Sequence, residues 1–183
     1  MRFFKSLQQD AKLFLYIYIL LMVFRIAFLL IYSGQLGSAG TGDIVEALWL
    51  GARISLKTTA FLVAFPFVFG TIPYAIWKRW PVARIRAMLG SVAVGLMTLL
   101  FVIRIPYYEI FHQGFNIMLF NGMKDDKWAI WDTAVKQYQF WPRLLGAVLL
   151  MALLIWLLQR ILRTPVWQPR RHVRIWTGLA IVF

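Results

Sequence analysis

The sequence predicts an all-α protein: a polytopic membrane helix bundle. It would have four complete transmembrane helices, the start of a fifth, and two interfacial amphipathic helices between spans three and four. Three observations carry this prediction. The chain is 61% hydrophobic with a mean hydropathy of +0.70, against about 45–50% apolar residues in a soluble domain. Several apolar runs reach the roughly 18–20 residues that a helix needs to cross a bilayer. The basic residues mostly flank those runs. The formal charge of +13 and pI near 10.7 therefore read as orientation signals and headgroup contacts, with no nucleic-acid partner expected. The chain contains no cysteine, which excludes disulfides, thiolate chemistry and cysteine-based metal sites.

Residues 1–12 lead into an apolar stretch too long for a signal-peptide core and without a small-residue cleavage site, so it reads as a retained first span. That span covers about 13–32 and holds one charge, Arg25. A central arginine costs about 2.5–3.5 kcal/mol on insertion scales. It either faces a bundle interior or snorkels toward Tyr32, roughly 10 Å further along the helix. Residues 33–42, SGQLGSAGTG, form a Gly/Ser linker that lacks phosphate-loop spacing. Helical character resumes at Asp43, a candidate N-cap. Span two covers about 54–77, with Arg53 and Lys57 four apart on one face at its start. Pro66 and Pro73 are expected to kink it. A short basic loop, residues 78–86, precedes span three at about 87–103, where Ser91 and Gly95 form a small-xxx-small pair suited to close helix packing.

Span four covers about 144–162, with Arg143 at its start. A Pro- and Arg-rich loop follows, in which His172 reads as a solvated residue. The apolar run at 175–183 is nine residues long and reaches only about 13 Å, less than half of a roughly 30 Å hydrocarbon core. The expectation is that the run is a truncated fifth span and that the polypeptide continues.

Most basic residues fall on the side of the N-terminus, and every acidic residue except Asp10 falls on the other. The positive-inside rule then places the N-terminus in the cytoplasm and residues 104–143 outside it. The outer stretch holds four of the seven acidic residues, Glu109, Asp125, Asp126 and Asp132. Pro106 is expected to break or kink the end of span three, and Tyr107 and Tyr108 suit an aromatic belt. Phe111, Phe115, Met118 and Leu119 share one helical face, and Trp128, Trp131, Val135 and Tyr138 share another. Two amphipathic helices lying in the interface would result. Asp125 and Asp126 read first as helix-capping residues. They lack zinc-ligand spacing, and an oxygen-ligand calcium or magnesium site stays open without support. Glu109 and His112, three apart, could form an acid–base pair, but a headgroup-level Glu109 satisfied by Arg104 or a tyrosine is the commoner arrangement.

The segments GARISLKTTAFL, from Gly51 to Leu62, and RIPYYEIFHQGFNIMLFNGMKDDKWAIWDTAVKQY, from Arg104 to Tyr138, resemble the membrane domain of lipoteichoic acid synthase-like proteins. These are bacterial phosphoglycerol transferases of the sulfatase superfamily. The resemblance covers nearly the whole chain in the order of its spans, and its motifs are not catalytic signatures. It implies five spans followed by an extracytoplasmic sulfatase-like domain with a threonine nucleophile and a divalent metal, manganese in type. It further implies transfer of phosphoglycerol from phosphatidylglycerol to an envelope glycolipid or glycan, in a bacterial cytoplasmic membrane. No catalytic or metal-ligating residue of that domain can be placed in this chain. The residues that match are Arg53, Lys57, Arg104, Tyr107, Tyr108, Glu109, Asn116, Asn121, Asp125 and Asp126.

The expected function is a membrane anchor whose outer rim, built from Arg53, Lys57, Arg104, Arg143, Tyr107 and Tyr108, holds an anionic lipid headgroup such as that of phosphatidylglycerol. The anchor would sit beneath its own C-terminal catalytic domain. Arg25, Glu109, Asn116, Asn121, Asp125 and Asp126 are structural or interface candidates. The rival reading is a complete small transport or scaffold protein in which Arg25 lines a pathway with Glu46 or Glu109 as its partner.

Overall fold

A computed structural model describes residues 2–35, 40–77, 79–112, 114 and 140–165. The two expected interfacial helices, with Asn116, Asn121, Asp125 and Asp126, lie outside the described residues. So do His172 and the apolar run at 175–183.

All regular structure among the described residues is helical, and four helices are long and apolar enough to cross a membrane. α1 spans Arg2–Ile31 and is followed by a 3-10 turn at Ser33–Gln35. α2 spans Thr41–Pro66 and runs through a π-helical stretch, Phe67–Thr71, into α3, Ile72–Ile76. α4 spans Val82–Phe111 and α5 spans Phe140–Arg163. The order is up-down-up-down. Side chains near the start of α1 meet the end of the second span, the start of α4 and the end of α5. The end of α1 meets the end of α4.

α1 buries Ser6, Asp10, Leu13, Ile17, Leu20 and Phe24, spaced alternately four and three residues apart. That is a 3.5-residue repeat, which keeps one seam facing its neighbours as in a left-handed coiled coil. Opposite faces of the helices expose large apolar side chains such as Leu15, Phe61, Met88 and Leu149, as a lipid-facing surface requires. α4 approaches α1 and α5 closely at Gly90, where a Cβ would lie 3.0 Å from a Leu13 methyl and 3.3 Å from a Leu158 methyl. Gly95 packs on Met151. The close-packing residues are thus Gly90 and Gly95, where the small pair expected was Ser91 and Gly95. Phe24 and Phe101 stack face to face at 4.3 Å between ring centroids, and Tyr16 donates to the Leu154 carbonyl at 2.7 Å.

Several boundaries differ from expectation, each for a local reason. α1 starts near residue 2 because Ser6 and Asp10 extend its buried seam below the apolar span. The N-cap of α2 is Gly40; Asp43 is its N3 residue, and its carboxylate accepts the Gly40 N–H at 3.0 Å. Pro66 and Pro73 lie inside the second span, as its expected bounds of 54–77 have them, and they flank the π-helical stretch. The missing Pro73 N–H frees the Phe69 carbonyl, and the Trp80 indole N–H donates to it at 3.0 Å. Pro106 does not end α4, which continues to Phe111 and stops at His112 in the left-handed region, φ 50°.

Candidate functional site

Two clusters of charge lie between the helices, one near each end of the bundle. The first is a buried polar knot where α1, the π-helical turn and α4 meet. Arg86 Nε donates to Asp10 Oδ1 at 2.6 Å, and both side chains are about 95% buried, with relative exposures of 5% and 4%. Arg86 Nη2 donates to the Ser6 carbonyl at 3.0 Å, Ser6 Oγ at 2.6 Å and Thr71 Oγ1 at 3.1 Å. Thr71 Oγ1 donates to Asp10 Oδ2. The π-helical turn makes this possible. Its extra residue brings Gly70 and Thr71 inward together, Gly70 against Val82 and Thr71 into the knot. Sequence reasoning treated Arg86 as part of a basic loop and Asp10 as a stray acid. The available signal was phase: Asp10 lies in register with Leu13, Ile17, Leu20 and Phe24.

The second cluster lines a cavity of about 280 Å³ between α1, α2 and α4. Arg25 enters it from α1 and Arg104 from α4, while Ser55 and Thr58 line it from α2. Leu21, Phe24 and Phe101 are among its apolar walls. Arg25 can reach this place because α2 carries Gly51 opposite it; a Cβ there would run into the guanidinium. Arg25 Nε is buried and makes no hydrogen bond among the described residues. Arg104 lies over the Phe28 ring, 4.1 Å from its centroid, a cation–π contact worth about 0.5–2 kcal/mol. Among the described residues, neither guanidinium is paired with a carboxylate.

Phe28, which carries Arg104 over its ring, forms an aromatic cluster with Tyr32 and Tyr108. Tyr32 donates to the Ile105 carbonyl at 2.8 Å. Tyr107 is buried and Tyr108 partly so. Glu109 pairs with Arg143 at 3.3 Å in an exposed bridge, rather than with Arg104. His112 makes a T-shaped ring contact with Tyr108, 6.1 Å between centroids, and among the described residues it forms no ion pair with Glu109.

The expected rim of Arg53, Lys57, Arg104 and Arg143 is therefore divided. Arg104 lines the cavity, Arg143 answers Glu109, and Arg53 and Lys57 are exposed on α2. α2 buries Gly51, Ser55, Thr59 and Val63. Arg53 and Lys57 fall about half a helical turn away from that stripe. Arg25 takes their place at the cavity and forms no ion pair with Glu46 or Glu109 among the described residues. No group of three or more His, Asp or Glu side chains suited to a metal occurs among the described residues.

No protein-family model, curated protein or solved structure matches the chain.

Proposed function

We propose that this chain is a membrane domain that holds the headgroup of an anionic phospholipid in the Arg25–Arg104 cavity. One observation carries the reading: two arginines converge on one cavity inside a helical bundle, with no carboxylate among the described residues to neutralise them. Like charges in a low-dielectric setting need a counter-anion. Arg25 and Arg104 line the same cavity from two different helices, so one phosphate can answer both. The apolar walls and the lipid-exposed faces beside them suit the glycerol and acyl parts of such a ligand.

In this reading the cavity lies toward the outer leaflet of a bacterial cytoplasmic membrane, with the N-terminus inside, as the positive-inside rule expects. The resemblance to lipoteichoic acid synthase-like proteins supports the further proposal that the lipid is phosphatidylglycerol. The domain would then anchor a phosphoglycerol-transferring, manganese-dependent catalytic unit on the outer face. Arg53 and Lys57 would reach headgroups around the site rather than within it.

Native mass spectrometry of the protein released from phosphatidylglycerol-containing nanodiscs tests the cavity. Losing charged hydrogen bonds worth about 1.5–3 kcal/mol predicts about 10- to 100-fold weaker retention for Arg25→Gln/Arg104→Gln. Arg53→Ala/Lys57→Ala is expected to change it less. Equal retention by wild type and the Arg25/Arg104 variant refutes the site. The enzymatic part is tested by reading the gene past the codon for Phe183: an open frame encoding a threonine- and metal-ligand-bearing domain supports it, and a stop codon refutes it.

A further inference from the structure

The larger cavity, about 410 Å³, lies at the opposite end of the bundle between α1, α4 and α5. Gln9, Arg84, Arg86, Gln159, Leu162 and Arg163 line it. The short side chains of Ala83 and Ala87 on α4 leave the space open. The charges at this end of the bundle are not interchangeable. Arg86 is spent on Asp10. Lys12 is spent on the end of α5, donating to the carbonyls of Thr164 and Pro165 at 3.1 Å each and to Thr164 Oγ1 at 2.8 Å. Arg84 and Arg163 form no ion pair among the described residues. Asp43, Glu46 and Glu109 all belong to the other end of the bundle, so Asp10 is the one described carboxylate near this cavity.

We propose that this cavity is a second, independent phosphate site, in which Arg84 and Arg163 grip the phosphate of an anionic lipid from the leaflet at this end. Two guanidiniums from different helices approach one opening, and the Gln159 amide adds a neutral donor. Leu162 forms an apolar edge, and on the same side of α5 Trp156, seven residues before Arg163, and Val148, eleven before Gln159, are exposed. A diacyl lipid could lay its chains there, which a soluble phosphate ester could not exploit. Basic residues merely marking orientation would need no cavity; a pocket between spans at the basic end is the arrangement that captures anionic headgroups. The site shares no residue with the Arg25–Arg104 cavity, so either can fail without the other.

The test uses the full chain in zwitterionic phosphatidylcholine nanodiscs doped with phosphatidylglycerol or phosphatidic acid, read by native mass spectrometry. The wild type is expected to retain two anionic lipids. Arg84→Gln/Arg163→Gln is expected to lose one, with at least about tenfold weaker retention, while Arg25→Gln/Arg104→Gln keeps it. Arg84→Lys/Arg163→Lys, which preserves charge, is expected to restore part of the binding and exclude misfolding as the cause. Competition by millimolar inorganic phosphate would support the phosphate site but assign it to a soluble ligand. Unchanged lipid stoichiometry in Arg84→Gln/Arg163→Gln overturns the proposal.

Discussion

Arg86→Met is expected to be among the most damaging single substitutions in this bundle. It removes the 2.6 Å bond to Asp10 and both bonds to Ser6, and it leaves a carboxylate of 4% exposure with only the Thr71 hydroxyl. Breaking one side of a buried pair costs about 3–5 kcal/mol, because the remaining charge is uncompensated. For a chain of this size each kcal/mol moves the midpoint by about 2–4 °C, so the expected fall is about 6–20 °C. Asp10→Leu should cost a similar amount, since it strands the guanidinium. The double variant Asp10→Leu/Arg86→Met replaces both charges with apolar groups and is expected to lie near wild type. The pair would then show a coupling of about 3 kcal/mol or more, opposite in sign to the single losses. Thermal unfolding of detergent-solubilised protein, followed by tryptophan fluorescence and size exclusion, measures all four states. Single variants within about 1 kcal/mol of wild type, or a double variant equal to the sum of the singles, would refute the reasoning.

Four further outcomes follow from the same geometry. Gly51→Val puts a side chain where the Arg25 guanidinium lies, so it is expected to reduce anionic-lipid retention about as much as Arg25→Gln, measured by native mass spectrometry. Gly90→Val overpacks the contact with Leu13 and Leu158 and is expected to cost about 1–3 kcal/mol in thermal unfolding. Glu109→Gln removes a bridge whose side chains are 38% and 43% exposed; the loss is expected to stay under about 1 kcal/mol. Trp80→Phe leaves the Phe69 carbonyl without its indole donor and should cost about 0.5–1.5 kcal/mol by the same assay.

The residues themselves determine a good deal here. Long apolar runs leave the backbone no way to satisfy its polar groups in lipid except as helices, so the four spans and their approximate places are legible from composition and length. The unusual cost of Arg25 is legible too, whereas Tyr107, expected in an aromatic belt, is buried. Other features depend on which faces meet, and hydropathy does not encode that. Arg53 and Lys57 look like partners of Arg104 because the charge pattern assigns all three to one side, but a 3.6-residue turn puts them on the exposed side of α2. Asp10 and Arg86 are 76 residues apart and reach one another only when three helix ends converge around a π-helical turn. Arg25 gains its cavity because Gly51 on a different helix has no side chain. Sequence period specifies the face each residue occupies on its own helix. Packing decides which faces share a space, and a buried charge acquires its partner, or its need for one, from that choice alone.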